Sequence, residues 1–263
     1  MRVALDESEG VAVGRWLERK TDVNVVVTEN YEEMSAAAAN VIAEQLKAKP
    51  DSVLGLATGT TPIGLYAELV RACDAGEISF ANAQSFNLDE YRGLPGTHDQ
   101  SYRYFMQDNL FDHVDIDVEK THVPDGSMED AQAACDAYEQ AIAQAGGVDL
   151  QLLGLGHNGH IGFNEPCDSF PVTTHCVELT ESTIQANSRL FDSADEVPRE
   201  AYTMGIGTIM KARKILLVVN GAGKAEIVRD VLRGPVVPQV PASILQLHPD
   251  VTVVLDKEAA ALL

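Results

Sequence analysis

"VDLQLLGLGHNGHIGFNEP", Val148 to Pro166, decides the fold. Its first half, Val148 to Gly156, is leucine-rich, interrupted by Asp149 and Gln151 and bounded by glycine, and reads as a buried strand. Its second half packs His157, Asn158, His160 and Glu165 among Gly154, Gly156, Gly159 and Gly162. Glycine lets a chain turn sharply and approach a ligand closely. A buried strand that ends in a polar, glycine-rich loop is the pattern of a parallel α/β sheet, where ligands bind outside the carboxyl ends of strands.

The neighbouring elements extend that pattern. "VNVVV" (Val23 to Val27) reads as a strand and Tyr31 to Ala48 as a helix. Ser52 to Ala57 is the next strand and Thr61 to Gly76 the next helix. Ala83 to Asp89 reads as a third strand, and Met128 to Gly147 as a helix with a glycine stop. Beyond the Val148 strand come Lys214 to Gly221, a helix from about Lys224 to Leu232, and Val251 to Asp256. This order implies one open, mostly parallel sheet with helices on both faces, Rossmann-like and three-layered. Residues 23–263 form a single domain on this reading, and residues 1–22 form an N-terminal leader with no assigned role.

Composition narrows the function. The chain has 263 residues, 45% hydrophobic, with a formal net charge of -21. So acidic a surface repels phosphate backbones and anionic lipid, so neither nucleic acid nor membrane is an expected partner. An anionic small molecule would need a local positive pocket. Cys73, Cys135, Cys167 and Cys176 form no C-x-x-C pair and read as reduced thiols of a cytoplasmic protein. The first ten residues carry acids where a signal peptide needs cations, and no run of roughly 18 apolar residues occurs.

Four polar loops fall at predicted strand ends. "ATGTTP" offers Gly59, Thr60 and Thr61 ahead of Pro62, a turn suited either to a phosphate or to a plain helix cap. "NLDEY" places Asp89 and Glu90 just past a buried run. There a carboxylate is either a desolvated base or a turn cap. In "GHNGHIGFNEP", His160 has the one side chain that gives and takes protons near neutrality, with Glu165 and Asn158 near enough to orient it. His157 and His160 also spell H-x-x-H, but no third ligand is evident, so no metal is expected. Lys224 sits where a strand gives way to a helix. Arg189 lies among small polar residues, as in a lid. Each is either an anion ligand or a solvated cation.

Taken together and in order, "LGLATGTTPIGLY", "FNLDEYRGL" followed by "SYRYFM", "GLGHNGHIGFNEP", "ANSRLFD", "AYTMGIGTIM" and "VPASILQLHP" resemble the glucosamine-6-phosphate deaminase family from about Val23 onward. The resemblance implies conversion of glucosamine 6-phosphate and water to fructose 6-phosphate and ammonia, without a cofactor or metal. It implies that His160 opens the sugar ring, with Glu165 and Asn158 tuning it, and that Asp89 moves the C2 proton to C1. It implies that Gly59, Thr60, Thr61, Arg189 and Lys224 hold the phosphate. Asn158 stands where some relatives carry aspartate. The segment Cys167 to Leu179 lacks the basic residues that grip an effector phosphate in allosteric members, and only a short stretch follows the last strand. Activation by N-acetylglucosamine 6-phosphate is therefore not expected. The leader has no counterpart in shorter members, and the chain is expected to be a monomer or small homo-oligomer. A 6-phosphogluconolactonase, which shares the fold, a deaminase for the galactosamine epimer, and a non-catalytic sugar-phosphate sensor are the alternatives.

Overall fold

At the centre of the sheet lie two short strands buried at every residue, β2 (Val53–Leu56) and β6 (Leu150–Leu153). They pair in parallel, Leu54 opposite Leu150 and Gly55 opposite Gln151. Gly55 leaves room there for the Gln151 side chain, which a Cβ would overlap. The computed structural model describes residues 23–180, 184, 191 and 196–263. The leader, residues 1–22, and Arg189 lie outside the described residues.

Around this pair the other parallel strands are β1 (Asn24–Thr28), β3 (Gln84–Asn87), β5 (Thr121–His122), β9 (Lys214–Val219) and β10 (Val251–Asp256). The sheet has seven strands in the order β1-β10-β9-β6-β2-β3-β5. The chain builds outward from β2 to β5, then reverses from β6 to β10. Because parallel crossovers keep one hand, this reversal sends helices to opposite faces. α1 (Tyr31–Ala48) and α2 (Ile63–Asp74) pack together on one side. α4 (Ala131–Gln144) and α6 (Ala225–Arg233) return on the other. The switch point falls between β2 and β6, where such sheets open a crevice.

Local chemistry sets the helix starts. Asn30 Oδ1 accepts from Glu33 N–H at 2.9 Å to begin α1, and Asp130 Oδ1 accepts from Ala133 N–H at 3.0 Å to begin α4. α3 (Tyr102–Asn109) begins at Ser101, whose Oγ accepts from Tyr104 N–H at 3.0 Å.

One expectation needs correction. Ala83 to Asp89 is not one strand. β3 stops at Asn87, and Asp89 opens β4 (Asp89–Tyr91) in a separate antiparallel sheet with β8 (Glu200–Thr203) and β7 (His175–Glu178). Leu88 is the crossing point. Its N–H bonds to Leu56 O in the large sheet at 3.1 Å, and its C=O accepts from Met204 N–H beyond the small one at 2.7 Å. The short helix α5 (Ile206–Ile209) follows β8 directly.

Candidate active site

A cavity of about 290 Å³ lies over the switch point, walled by the ends of β2, β3, β6 and β9. Asp89, His160, Thr61 and Lys224 all line it, as do Gly59, Thr60 and Tyr102.

The small sheet brings Asp89 and His160 together. Asp89 pairs with Thr203 across β4 and β8. Thr203 Oγ1 accepts from Phe163 N–H at 3.0 Å, and Asn164 Nδ2 donates to Met204 O and Ile161 O, each at 2.8 Å. The histidine loop is thus fastened to the strand that pairs with the aspartate's own. Gly162 makes the approach feasible. It has φ of +59°, and a Cβ there would come within 2.8 Å of Thr203 Oγ1 and 3.4 Å of Asp89 Oδ2.

Asp89 is 7% exposed. Burial, with the charge of Glu90 second, pushes its carboxyl up to about 8. The His160 ring rests against Gly156, where a Cβ would overlap it. His160 Nδ1 lies 2.7 Å from Asn158 Oδ1 and 3.3 Å from Glu165 Oε1. Asn158 Nδ2 donates to Glu165 Oε2 at 2.5 Å. The amide therefore presents its oxygen to the ring, so Nδ1 carries hydrogen and Nε2 is left to exchange a proton with a ligand. The His160 hydrogen bond, ahead of its charge and the Asn158 bond, helps hold Glu165 below the usual carboxylate range. Asn158 and Glu165 stand behind the imidazole rather than among the residues lining the cavity.

At the opposite end, Gly59 adopts φ of +101° in the turn before α2. Tyr31 on α1 braces that turn: its Oη accepts from Gly64 N–H at 2.9 Å and lies 3.1 Å from Thr61 O. Thr61 Oγ1 donates to Asn220 Oδ1 at 2.8 Å. Asp256 at the end of β10 accepts from Gly221 N–H at 2.9 Å, fixing the loop that carries Lys224. Lys224 Nζ donates to Leu155 O at 2.6 Å and sits 3.4 Å from His157 Nδ1. Burial lowers the Lys224 pKa, and the Lys224 charge, ahead of burial, lowers that of His157. Among the described residues no three His, Cys, Asp or Glu side chains gather to hold a metal ion, and no helix is long and apolar enough to cross a membrane.

Sequence reasoning missed Tyr102 and Asn220, both in the site's surroundings. The Ser101 cap ahead of "YRYFM" was the available signal for the first.

A doubly wound α/β protein with a polar cavity over its switch point is built to bind a small polar molecule. Residues 28–254 match the family described as glucosamine-6-phosphate isomerases/6-phosphogluconolactonase. The glucosamine-6-phosphate deaminases of Thermoanaerobacter pseudethanolicus and Halothermothrix orenii are 54% and 55% identical to it over 241 residues. Those residues are 92% of this chain and 95% and 100% of theirs. A solved monomeric glucosamine-6-phosphate deaminase superposes with a TM-score of 0.87 at 48% identity, covering 92% of this chain and 100% of its own. The 6-phosphogluconolactonase of Trypanosoma brucei, at 22% identity and a TM-score of 0.71 over 91% of this chain and 98% of its own, shares the fold. The chain belongs to the glucosamine-6-phosphate isomerase/6-phosphogluconolactonase family and stands with its glucosamine-6-phosphate deaminases.

Proposed function

We propose that the chain converts glucosamine 6-phosphate and water to fructose 6-phosphate and ammonia. The observation that carries this reading is that Asp89, from the start of β4, and His160, from the loop after β6, face one cavity, with Asn158 and Glu165 behind the imidazole.

The pyranose opens when a proton leaves the C1 hydroxyl and one reaches the ring oxygen. His160 Nε2 serves this exchange. Asp89 then takes the C2 proton, acidified by the new C1 aldehyde. The electron pair forms the C1–C2 double bond while the C1=O π pair moves onto O1, which takes a proton from the C2 ammonium to leave an enolamine. Return of that proton to C1 yields a C2 iminium ion. Water adds to C2, and the C–N bond breaks to release ammonia. Apart from cleavage of the ring C1–O5 bond, every step is a proton transfer or an addition or loss of water or ammonia, so the sequence needs no redox partner. By its net result it is hydrolysis of a C–N bond, and it suits the catabolism of N-acetylglucosamine after deacetylation in the cytoplasm. The Gly59–Thr61 turn, Lys224 and Arg189 hold the phosphate.

The deciding assay couples ammonia release to glucosamine 6-phosphate, with the galactosamine epimer and 6-phosphogluconolactone as comparison substrates. Lactone hydrolysis without ammonia release from either amino sugar would overturn the reading. Saturation is expected to be hyperbolic and unchanged by N-acetylglucosamine 6-phosphate, because the Cys167 to Leu179 segment carries no lysine or arginine. A sigmoid curve that this compound straightens would contradict that.

Two substitutions probe the geometry in the same assay. Gly156→Ala forces the His160 ring aside and is expected to lower kcat about 10²-fold, since small misplacements of reacting groups cost that much, with the fold retained by circular dichroism. Lys224→Met removes a charged donor worth roughly 1.5–3 kcal/mol. It should raise KM about 10- to 100-fold and weaken competitive inhibition by orthophosphate, leaving kcat near wild type.

A further inference from the structure

Asp89 and Glu90 are consecutive residues of β4, and a strand turns consecutive side chains to opposite faces. Asp89 lines the sugar cavity, whereas Glu90, only 1% exposed, lines a separate cavity of about 240 Å³ behind the strand. Its carboxylate accepts three backbone N–H bonds. Oε1 takes Tyr91 at 2.8 Å and Tyr102 at 2.9 Å, and Oε2 takes Arg103 at 2.9 Å. Tyr102 and Arg103 open α3, whose first turn would otherwise leave those donors without partners. The Tyr102 ring walls the sugar cavity, with its hydroxyl 3.2 Å from that of Tyr91.

We propose that Glu90 is a positioning residue for the base: it pins the first turn of α3 so that Tyr102 walls the sugar cavity, and it sets a second negative charge immediately behind Asp89. The proposal rests on the reading of Asp89 as the base and adds what keeps that base strong.

A carboxylate must be unusually basic to take a proton from carbon near neutrality. Burial supplies most of that basicity at Asp89, and Glu90 adds to it. Burial also lifts Glu90 itself, to about 6 against the three N–H donors, so it is charged at the pH where Asp89 begins to ionise. Asp89 further faces Tyr102 from α3, Tyr138 from α4 and His160 across the cavity. Glu90 faces Arg103 on α3, His122 on β5 and Asp125 in the loop beyond. Arg103 is the one full positive charge in that set. It spends Nη1 on Thr121 O and Oγ1, at 2.9 and 2.7 Å. Burial, with the Arg103 charge second, lowers the His122 pKa and so disfavours its cationic form.

Glu90→Gln removes the charge and keeps one acceptor oxygen. Carbon-13 NMR of protein labelled at the aspartate carboxyl, with Asp89→Asn identifying the signal, should show the Asp89 titration moving down by about one pH unit. The acid limb of kcat/KM should move with it, so that activity at pH 6 relative to pH 9 rises about tenfold. KM should rise several-fold as Tyr102 loosens. Glu90→Asp, which keeps the charge with a shorter reach, should raise KM and leave the limb in place. An unmoved Asp89 titration in folded Glu90→Gln protein overturns the proposal. So does a Glu90→Asp variant with wild-type KM, which remains a test if the glutamine variant does not fold. A moved titration with an unmoved rate profile upholds the charge arrangement and instead removes Asp89 as the base.

Discussion

Asp89→Asn should lower kcat by ~10³-fold, within the range for loss of an acid–base group, and should also make the protein harder to unfold above about pH 8. Both effects come from one cause. Burial, with the Glu90 charge behind it, holds the Asp89 carboxyl at about 8 in the folded chain, against an ordinary value of 3.8. The folded value is raised, so the protonated form is the one that folding favours. Its stabilising contribution is fully present below about pH 4 and is lost as pH rises through about 8. At alkaline pH the ionised carboxylate costs the fold on the order of a few kcal/mol. An asparagine has nearly the same shape and never ionises. Thermal unfolding of the variant should therefore match wild type near pH 4 and exceed it by several degrees near pH 9. Wild-type kcat/KM should rise with pH toward about 8, as the carboxylate becomes available to take the C2 proton. An Asp89→Asn protein that keeps its turnover, or melts at wild-type temperature at pH 9, contradicts the assignment.

The large sheet was legible because its signals are local. α1 carries its own cap at Asn30 and a helical spacing of buried residues, and its ends fall where the pattern puts them, at Tyr31 and Ala48. β10 likewise occupies Val251 to Asp256, a β-branched run with a polar stop. The small sheet was not legible, because nothing within "AQSFNLDEY" marks a break. Polar and apolar residues alternate from Ser85 to Asp89, straight across the break. The switch is made by partners more than a hundred residues away: Thr203 of β8 pairs with Asp89, and Met204 just beyond it bonds to Leu88. The site inherits this division. A glycine-rich loop after a buried strand announces a ligand, and "GHNGHIGFNEP" names its polar groups. That Glu90 faces away from Asp89, into a helix end, depends on the pleat of a three-residue strand that sequence periodicity cannot resolve.

The second large effect concerns the group behind the imidazole. His160 Nδ1 meets Asn158 Oδ1, Asn158 Nδ2 meets Glu165 Oε2, and Glu165 Oε1 lies 3.3 Å from Nδ1. These three contacts close a ring, so Glu165 and Asn158 act on the sugar only through the histidine. His160→Gln should lower kcat/KM by ~10²–10⁴-fold. Glu165→Gln keeps the shape of the ring but removes the charge that favours an imidazolium during ring opening. It should lower kcat/KM by about tenfold, the effect of roughly 1.4 kcal/mol at the transition state. Residues that act as one unit are not additive. The double variant should therefore be no slower than His160→Gln alone, since a glutamate with no imidazole to serve has nothing left to lose. The double-mutant cycle on kcat/KM decides the matter. If the two losses multiply, Glu165 reaches the substrate by a route of its own, and the closed ring is not the arrangement that opens the sugar.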